Sequence, residues 1–332
     1  MTYQPLHVFQ MRNHESPDAV DEEYHRRVGS PLTFTTSFKP YLMQRETPAG
    51  KSYPLFVVPT KKLLLLCDRL RGNSNKIVSL VDALPKRARE RFFHDQLVSE
   101  IKRTNDIEGV RSTREEIGVA LKSGWKSNVR LASTVQLYLD ILNQELPTVE
   151  SLEDIGFLYQ HLLKGEINAL DAVDGELFRA HGVHILSYQS NKVVHYAPQG
   201  EANIQQRLTA WLAFLDDDNY PSLIRAIVGH FMFENTHPFY DGNGRLGRYL
   251  LSGALAKELD ALTAVSLSQA IFGHRSSYYS AFTMTEDVKN RAEETFFVIK
   301  ILGIIDDCQR QLIERLQQEQ DELDYFADWQ AG

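Results

Sequence analysis

His237-Pro238-Phe239-Tyr240-Asp241-Gly242-Asn243-Gly244-Arg245-Leu246-Gly247-Arg248 gathers charge, glycine and a titratable base between two apolar runs. Upstream, Leu223, Ile224, Ile227, Val228, Phe231 and Phe233 recur at near-helical spacing, and downstream Leu246, Tyr249, Leu250, Leu251 and Leu255 do the same. The segment therefore reads as a loop between two helices, with Asp241-Gly242-Asn243-Gly244 ending one and opening the next. A helix that begins at Gly244 or Arg245 leaves its first backbone N–H groups unpaired at the positive end of its dipole, which is an anion site. Gly242 and Gly244 carry no Cβ, so phosphate oxygens can approach those amides closely. Arg245 and Arg248, three residues apart, fall on one helix face and are expected to reach the same polyphosphate. Asp241 offers a hard oxygen ligand suited to a Mg²⁺ ion otherwise held by water and phosphates. His237 is the nearby group whose unperturbed pKa, about 6.5, lies close to neutrality.

With these residues in place, the segment matches the signature of the Fic family, His-Pro-Phe-x-Asp-Gly-Asn-Gly-Arg-x-x-Arg, in full. The resemblance extends over roughly residues 150 to 305. It implies a mainly α fold: a helical Fic core with a short β-hairpin flap, preceded by a smaller helical N-terminal region. It also implies ATP as substrate, Mg²⁺ as cofactor, and transfer of AMP to a side-chain hydroxyl of a target protein. By resemblance, His237 takes the proton from a Ser, Thr or Tyr hydroxyl, and Asp241 holds Mg²⁺. Asn243 with the amides of Gly242 to Gly244 steadies the α-phosphate, and Arg245 and Arg248 bind the β- and γ-phosphates.

Further upstream, Thr104-x-x-x-Glu108-Gly109 resembles the Ser/Thr-x-x-x-Glu-Gly/Asn inhibitory motif that many Fic proteins carry, with Arg248 as the implied partner of Glu108. The same residues also read as a helix C-terminus capped by Gly109. Thr113 and Glu116 have the spacing of a capping box opening the following helix. The runs Val183 to Leu186 and Lys192 to Tyr196, either side of a polar turn, read as a hairpin. Gly175-Glu176-Leu177-Phe178-Arg179 leads into it. This hairpin resembles the Fic flap, in which Lys192, Val193, Val194, His195 and Tyr196 dock the target by strand-like pairing. His181, His184 and His195 lack a metal-ligand spacing and are assigned to flap packing. His230, two turns before His237 on the same helical face, reads as a buried supporting histidine. Arg275, Tyr278 and Tyr279 resemble a family pattern beside the nucleotide base and equally suit a core tyrosine pair.

Composition bounds these readings. Hydrophobic content of 43% gives ample material for a core, and a net charge of −8 opposes broad binding to nucleic acid or an anionic membrane. No apolar run approaches the ~20 residues that span a bilayer. The first residues lack the basic and apolar regions of a secretory signal, so the expected location is cytoplasmic. Cys67 and Cys308 have no cysteine neighbour at metal-ligand spacing and are expected to be buried thiols.

Along the chain, residues 1 to about 55 show scattered prolines and no sustained helical period, and they are read as an irregular arm with short β character at Leu32 to Thr36. Helix-length segments follow at Leu63 to Leu70, Ile77 to Leu84 and Ala88 to Val98, with breaks expected at Gly72-Asn73-Ser74 and Pro85. Further helices are expected at Asn128 to Leu146, Val149 to Leu163, Ala202 to Leu215, Ser266 to Ala270 and Ser276 to Phe282, and a long one from Ala292 to about Asp324 turns polar after Leu316. The expected divisions are 1–95 (arm and helical region), 96–148 (inhibitory and connecting helices), 149–305 (Fic core) and 306–332 (C-terminal tail). The partner is expected to be a target protein with an exposed hydroxyl; self-modification and a homodimer are also compatible with the pattern. Three other activities share the same loop: removal of AMP with Glu108 orienting water, phosphoryl transfer as in Doc-like toxins, and nucleotide binding without turnover. Doc-like loops have lysine where this chain has Gly244, which favours nucleotidyl transfer.

Overall fold

In the computed structural model, which describes every residue except Met1, Thr2, Glu15, residues 124–127, Tyr188 and Gly332, the loop from His237 to Gly242 sits between two packed helices. In chain order the elements are α1 (Leu6–Arg12), α2 (Pro17–Val28), β1 (Phe34–Thr35), β2 (Met43–Gln44), β3 (Thr47–Pro48), β4 (Phe56–Val57), α3 (Lys61–Ala83), α4 (Lys86–Ile107), α5 (Arg114–Ser123), α6 (Ala132–Asn143) and α7 (Leu152–Leu162). There follow β5 (His184–Leu186), β6 (Val193–Tyr196), α8 (Glu201–Leu215), α9 (Ser222–Thr236), α10 (Asn243–Glu258), α11 (Ala261–Ala264), α12 (Leu267–Gly273), α13 (Arg275–Glu286) and α14 (Thr295–Ala331). The fold is mainly helical, with three small antiparallel sheets pairing β1 with β4, β2 with β3, and β5 with β6.

Nearly every side chain of α9 is buried, including Leu223, Ile227, Phe231 and Phe233, so this helix forms the centre of the core. A helix apolar all round must be surrounded. Here α8 packs on one side, α10 on another, and α14, with Phe282 of α13 against His230 and Phe231, closes the remainder. Leu246, Tyr249, Leu251 and Leu255 of α10 are buried, as the spacing predicts. Thr113 and Glu116 exchange reciprocal hydrogen bonds of 3.1 and 2.7 Å at the start of α5, the arrangement expected of a capping box.

Two element assignments are corrected. Gly72-Asn73-Ser74 does not break a helix: α3 is continuous, because Leu63, Leu66, Leu70, Ile77 and Val81 make one buried stripe along α14. Packing along this stripe outweighs the low helix propensity of a Gly-Asn-Ser run. The first 55 residues are not an irregular arm throughout, since they contain α1 and α2. Helix α2 buries little beyond Val20, Tyr24 and Arg27, a stripe too thin and too polar to register as periodic. Arg27 is held by Glu23 and by a buried ion pair to Glu293 at 2.7 Å, and Tyr3 bonds the same carboxylate. In addition, α4 runs through residue 95 and α14 through residue 305, so the divisions placed there fall inside continuous helices. The polar end of the last helix remains helical to Ala331. Both cysteines are buried and free. Among the described residues no helix is long and apolar enough to cross a membrane.

Candidate active site

Helix α9 ends at Thr236, and His237 takes a left-handed conformation, φ 49° and ψ 62°, that turns the chain sharply into the loop. Such values are strained for a residue with a Cβ, so neighbours must hold them. Phe239, fully buried, stacks on Tyr159 with ring centroids 3.6 Å apart, and the Tyr159 hydroxyl donates to the Asp241 carbonyl at 3.2 Å. The Asn243 side chain accepts from the Phe239 N–H at 2.9 Å and donates to the Phe239 carbonyl at 2.8 Å. That side chain is therefore a strut of the loop, and its backbone amide lies at the helix start. Helix α10 opens at Asn243, one residue before the expected start, and its first closing bond runs from Leu246 N to the Gly242 carbonyl at 3.0 Å. The amides that precede this bond have no intrahelical partner.

Gly242 caps this helix at φ 81°. A Cβ there would collide with Leu163 and lie 3.3 Å from Tyr159 Cε2. Gly242→Ala is expected to destabilise the protein by at least the left-handed penalty of about 1–2 kcal/mol. A urea unfolding midpoint equal to that of the wild type would show that the cap relaxes instead.

The two loop arginines point to different places. Arg248, 1% exposed, places Nη1 2.7 Å from Glu108 Oε1, Nε 3.0 Å from Thr104 Oγ1 and Nη2 3.0 Å from the Thr104 carbonyl. Arg245 is equally buried but pairs with Asp241 at 3.1 Å and lines a small cavity with Thr134, Tyr138 and Leu162. The two guanidinium groups thus have different carboxylate partners, Asp241 for Arg245 and Glu108 for Arg248. Asp241 also accepts the Gly242 N–H at 2.6 Å, yet its side chain is 40% exposed, so a carboxylate edge remains open to solvent.

Arg248 and Glu108 border a cleft of about 490 Å³ that is also lined by His237, Gly244, Glu234 and Tyr279. Glu108 terminates α4, and Gly109 follows at φ 72°, so the glycine cap and the carboxylate–arginine pair occur together. A Cβ on Gly244 would strike the Glu108 carboxylate and lie 2.9 Å from Arg248 Nη1, so a side chain there would have to displace the ends of that ion pair. His237 is part-exposed to this cleft. Its imidazole pKa is lowered to about 3, first by burial of the ring and then by His195 and Arg179, while the Glu234 carbonyl acts weakly in the opposite direction. The imidazole is thus neutral near pH 7 and able to accept a proton. Arg248 titrates above its ordinary range: burial works against its charge, but Glu108 foremost, with Tyr278, Tyr279 and Glu234, outweighs it. His230 is buried between the Gly247 carbonyl (3.2 Å) and the Tyr278 hydroxyl (2.8 Å), in keeping with a supporting role.

Residues 149–255 match the Fic/DOC family model. They form a Fic/DOC family domain. A protein from Aquifex aeolicus named probable protein adenylyltransferase is 32% identical over 85 residues, 26% of this chain and 24% of that protein, so the match spans about a quarter of that relative. Among solved structures, a Fic family protein from Desulfovibrio desulfuricans superposes with a TM-score of 0.63 at 19% identity, covering 82% of this chain and 77% of that one. A Fic domain containing signaling protein from Bacteroides thetaiotaomicron gives a TM-score of 0.52 at 15% identity, over 76% and 96% of the two chains. These likenesses extend the shared fold well beyond the Fic/DOC domain itself.

The Fic/DOC domain carries the expected hairpin, with His184 opposite Tyr196, Ile185 opposite His195 and Leu186 opposite Val193. Lys192 is exposed and pairs with Glu46 at 3.2 Å. His195 turns inward: it is 4% exposed, with Nδ1 3.0 Å from Glu286 Oε2 and Nε2 3.0 Å from the Asn235 carbonyl. It is thus withdrawn from the docking face expected for residues 192–196. Asn235 in turn donates to Glu286 at 2.8 Å and to the Tyr41 carbonyl at 3.2 Å. Glu234, which by sequence ranks with His230 as a supporting residue, has a carboxyl group whose pKa burial raises to about 8 despite the opposing pull of Arg248.

Proposed function

We propose that this chain is a protein adenylyltransferase that moves AMP from ATP to a Ser, Thr or Tyr hydroxyl of another protein and is held back by Glu108. The observation that carries the reading is the cleft itself, where a neutral His237, the open N-terminus of α10, Gly244 and Arg248 border one space that Glu108 enters. The hydroxyl oxygen attacks the α-phosphorus, the bond to the bridging oxygen of the β-phosphate breaks, and pyrophosphate leaves. His237 receives the hydroxyl proton. The amides at the start of α10 face charge that builds on the α-phosphate. Asp241, with one carboxylate edge exposed and no further carboxylate ligand needed, suits Mg²⁺ completed by water and phosphates, which would neutralise charge on the departing pyrophosphate. Gly244 stands where the Doc-like loop has lysine, which disfavours that arrangement.

The reading is tested by incubating the chain with lysate proteins and ATP labelled at the α- or the γ-phosphorus. Label entering protein from the α position alone supports it; label from the γ position would replace it with phosphoryl transfer. Release of AMP from a modified protein without any forward transfer would make the chain an eraser.

The flap is expected to set target docking and not nucleotide affinity. Val193→Asp with Val194→Asp should reduce target modification several-fold more than it weakens ATP binding, since both valines are only part-buried on the hairpin. Equal losses in a transfer assay and in calorimetry would make the hairpin purely structural.

A further inference from the structure

Arg179 is 0% exposed, and among the described residues no carboxylate forms an ion pair with it. Its guanidinium is spent on backbone carbonyls instead. Nε donates to His237 O at 2.9 Å, Nη2 to Thr236 O at 3.4 Å and Nη1 to His181 O at 2.5 Å, while its own N–H donates to Pro238 O at 3.2 Å. Two of these carbonyls belong to the orphan set at the end of α9, the negative end of that helix's dipole. A buried cation that makes no ion pair persists only where such dipoles replace its water, helped here by the nearby Asp174 carboxylate and the Tyr240 and Tyr41 rings. It grips the residue whose φ of 49° the loop depends on.

We propose that Arg179 is a positioning residue for His237: its guanidinium, clamped on the carbonyls around the left-handed turn, fixes the direction in which the imidazole enters the cleft. This rests on His237 acting as the base. The same positive charge opposes protonation of the neighbouring ring, since Arg179 is among the groups that lower the His237 pKa. Other charged or titratable groups facing the imidazole are His195 of β6 with Glu286 of α13 behind it, Glu234 of α9, Arg248 of α10 and Glu108 of α4. Arg179 differs from all of them in holding the His237 main chain.

The test uses full-length protein carrying Glu108→Gly, with Arg179→Lys and Arg179→Gln added separately. Both are expected to reduce kcat by about 10²-fold, the scale of a displaced catalytic group, while the KM for ATP stays within about twofold. Removal of the charge in Arg179→Gln should also move the acid limb of kcat/KM to higher pH, toward the ordinary histidine value; Arg179→Lys, which keeps a charge, should move it less. Should Arg179→Gln fail to fold, the split between kcat and KM in Arg179→Lys decides. An unchanged kcat in folded Arg179→Lys, or parallel rises in KM and falls in kcat with a fixed acid limb, overturns the inference. Absence of transfer in Glu108→Gly alone would instead remove the adenylyltransferase reading on which it stands.

Discussion

Glu108→Gly is expected to raise AMP transfer by about one to two orders of magnitude. Arg248 is wholly engaged by α4, through the 2.7 Å pair with Glu108 and the two bonds to Thr104. A γ-phosphate entering the cleft must displace the carboxylate to reach that guanidinium. Hydrogen bonds to charged groups are worth roughly 1.5–3 kcal/mol and each 1.4 kcal/mol is about tenfold, which sets the expected gain. The substitution leaves both Thr104 bonds in place, so Arg248 stays oriented, and glycine is tolerated at a helix end. Labelled AMP transfer by wild type and variant, matched for folding by circular dichroism, measures the effect. An unchanged or lower rate in the folded variant removes Glu108 from the regulatory role, and loss of AMP removal alongside the gain would assign it to hydrolysis as well.

In that activated background, His237→Ala is expected to lower transfer by roughly 10²- to 10⁴-fold, the usual loss when a positioned base is removed. A hydroxyl of pKa about 10 or more is a poor nucleophile near neutrality. Binding of Mg²⁺-ATP should stay within a few-fold by calorimetry, because the loop amides, Asp241 and Arg248 are untouched. The Arg179 bond to this residue uses the backbone carbonyl, so alanine retains the clamp. Transfer at the unsubstituted rate would sink the assignment of His237.

The loop and its two flanking helices were legible in the sequence because their signal is local: an apolar stripe, a glycine cap, then another stripe. The pairing of Glu108 with Arg248 was legible only through resemblance, since nothing in spacing joins residues so far apart. Arg245 and Arg248 fall on one helix face by spacing, yet they take different partners that spacing alone does not name: Asp241, four residues back, for Arg245 and Glu108 for Arg248. His195 alternates correctly within β6, yet which face of a two-stranded hairpin is buried depends on Glu286 and Asn235, from other parts of the chain. Arg179 was passed over for a related reason. An arginine that bonds only carbonyls leaves no acidic partner to pair it with.

Asn235, two residues before His237, is tied to Tyr41, 194 positions earlier, and to Glu286, 51 positions later. Arg27 reaches its buried partner Glu293 across 266 positions. Loop closure over such separations precedes any contact that rewards it, so folding should be slow in its final stage. During synthesis the His237 loop emerges well before α13, so a nascent chain holds the reactive residues before it holds their geometry. The geometry of the His237 loop therefore completes only once α13 and α14, which follow it in the chain, have packed against α9.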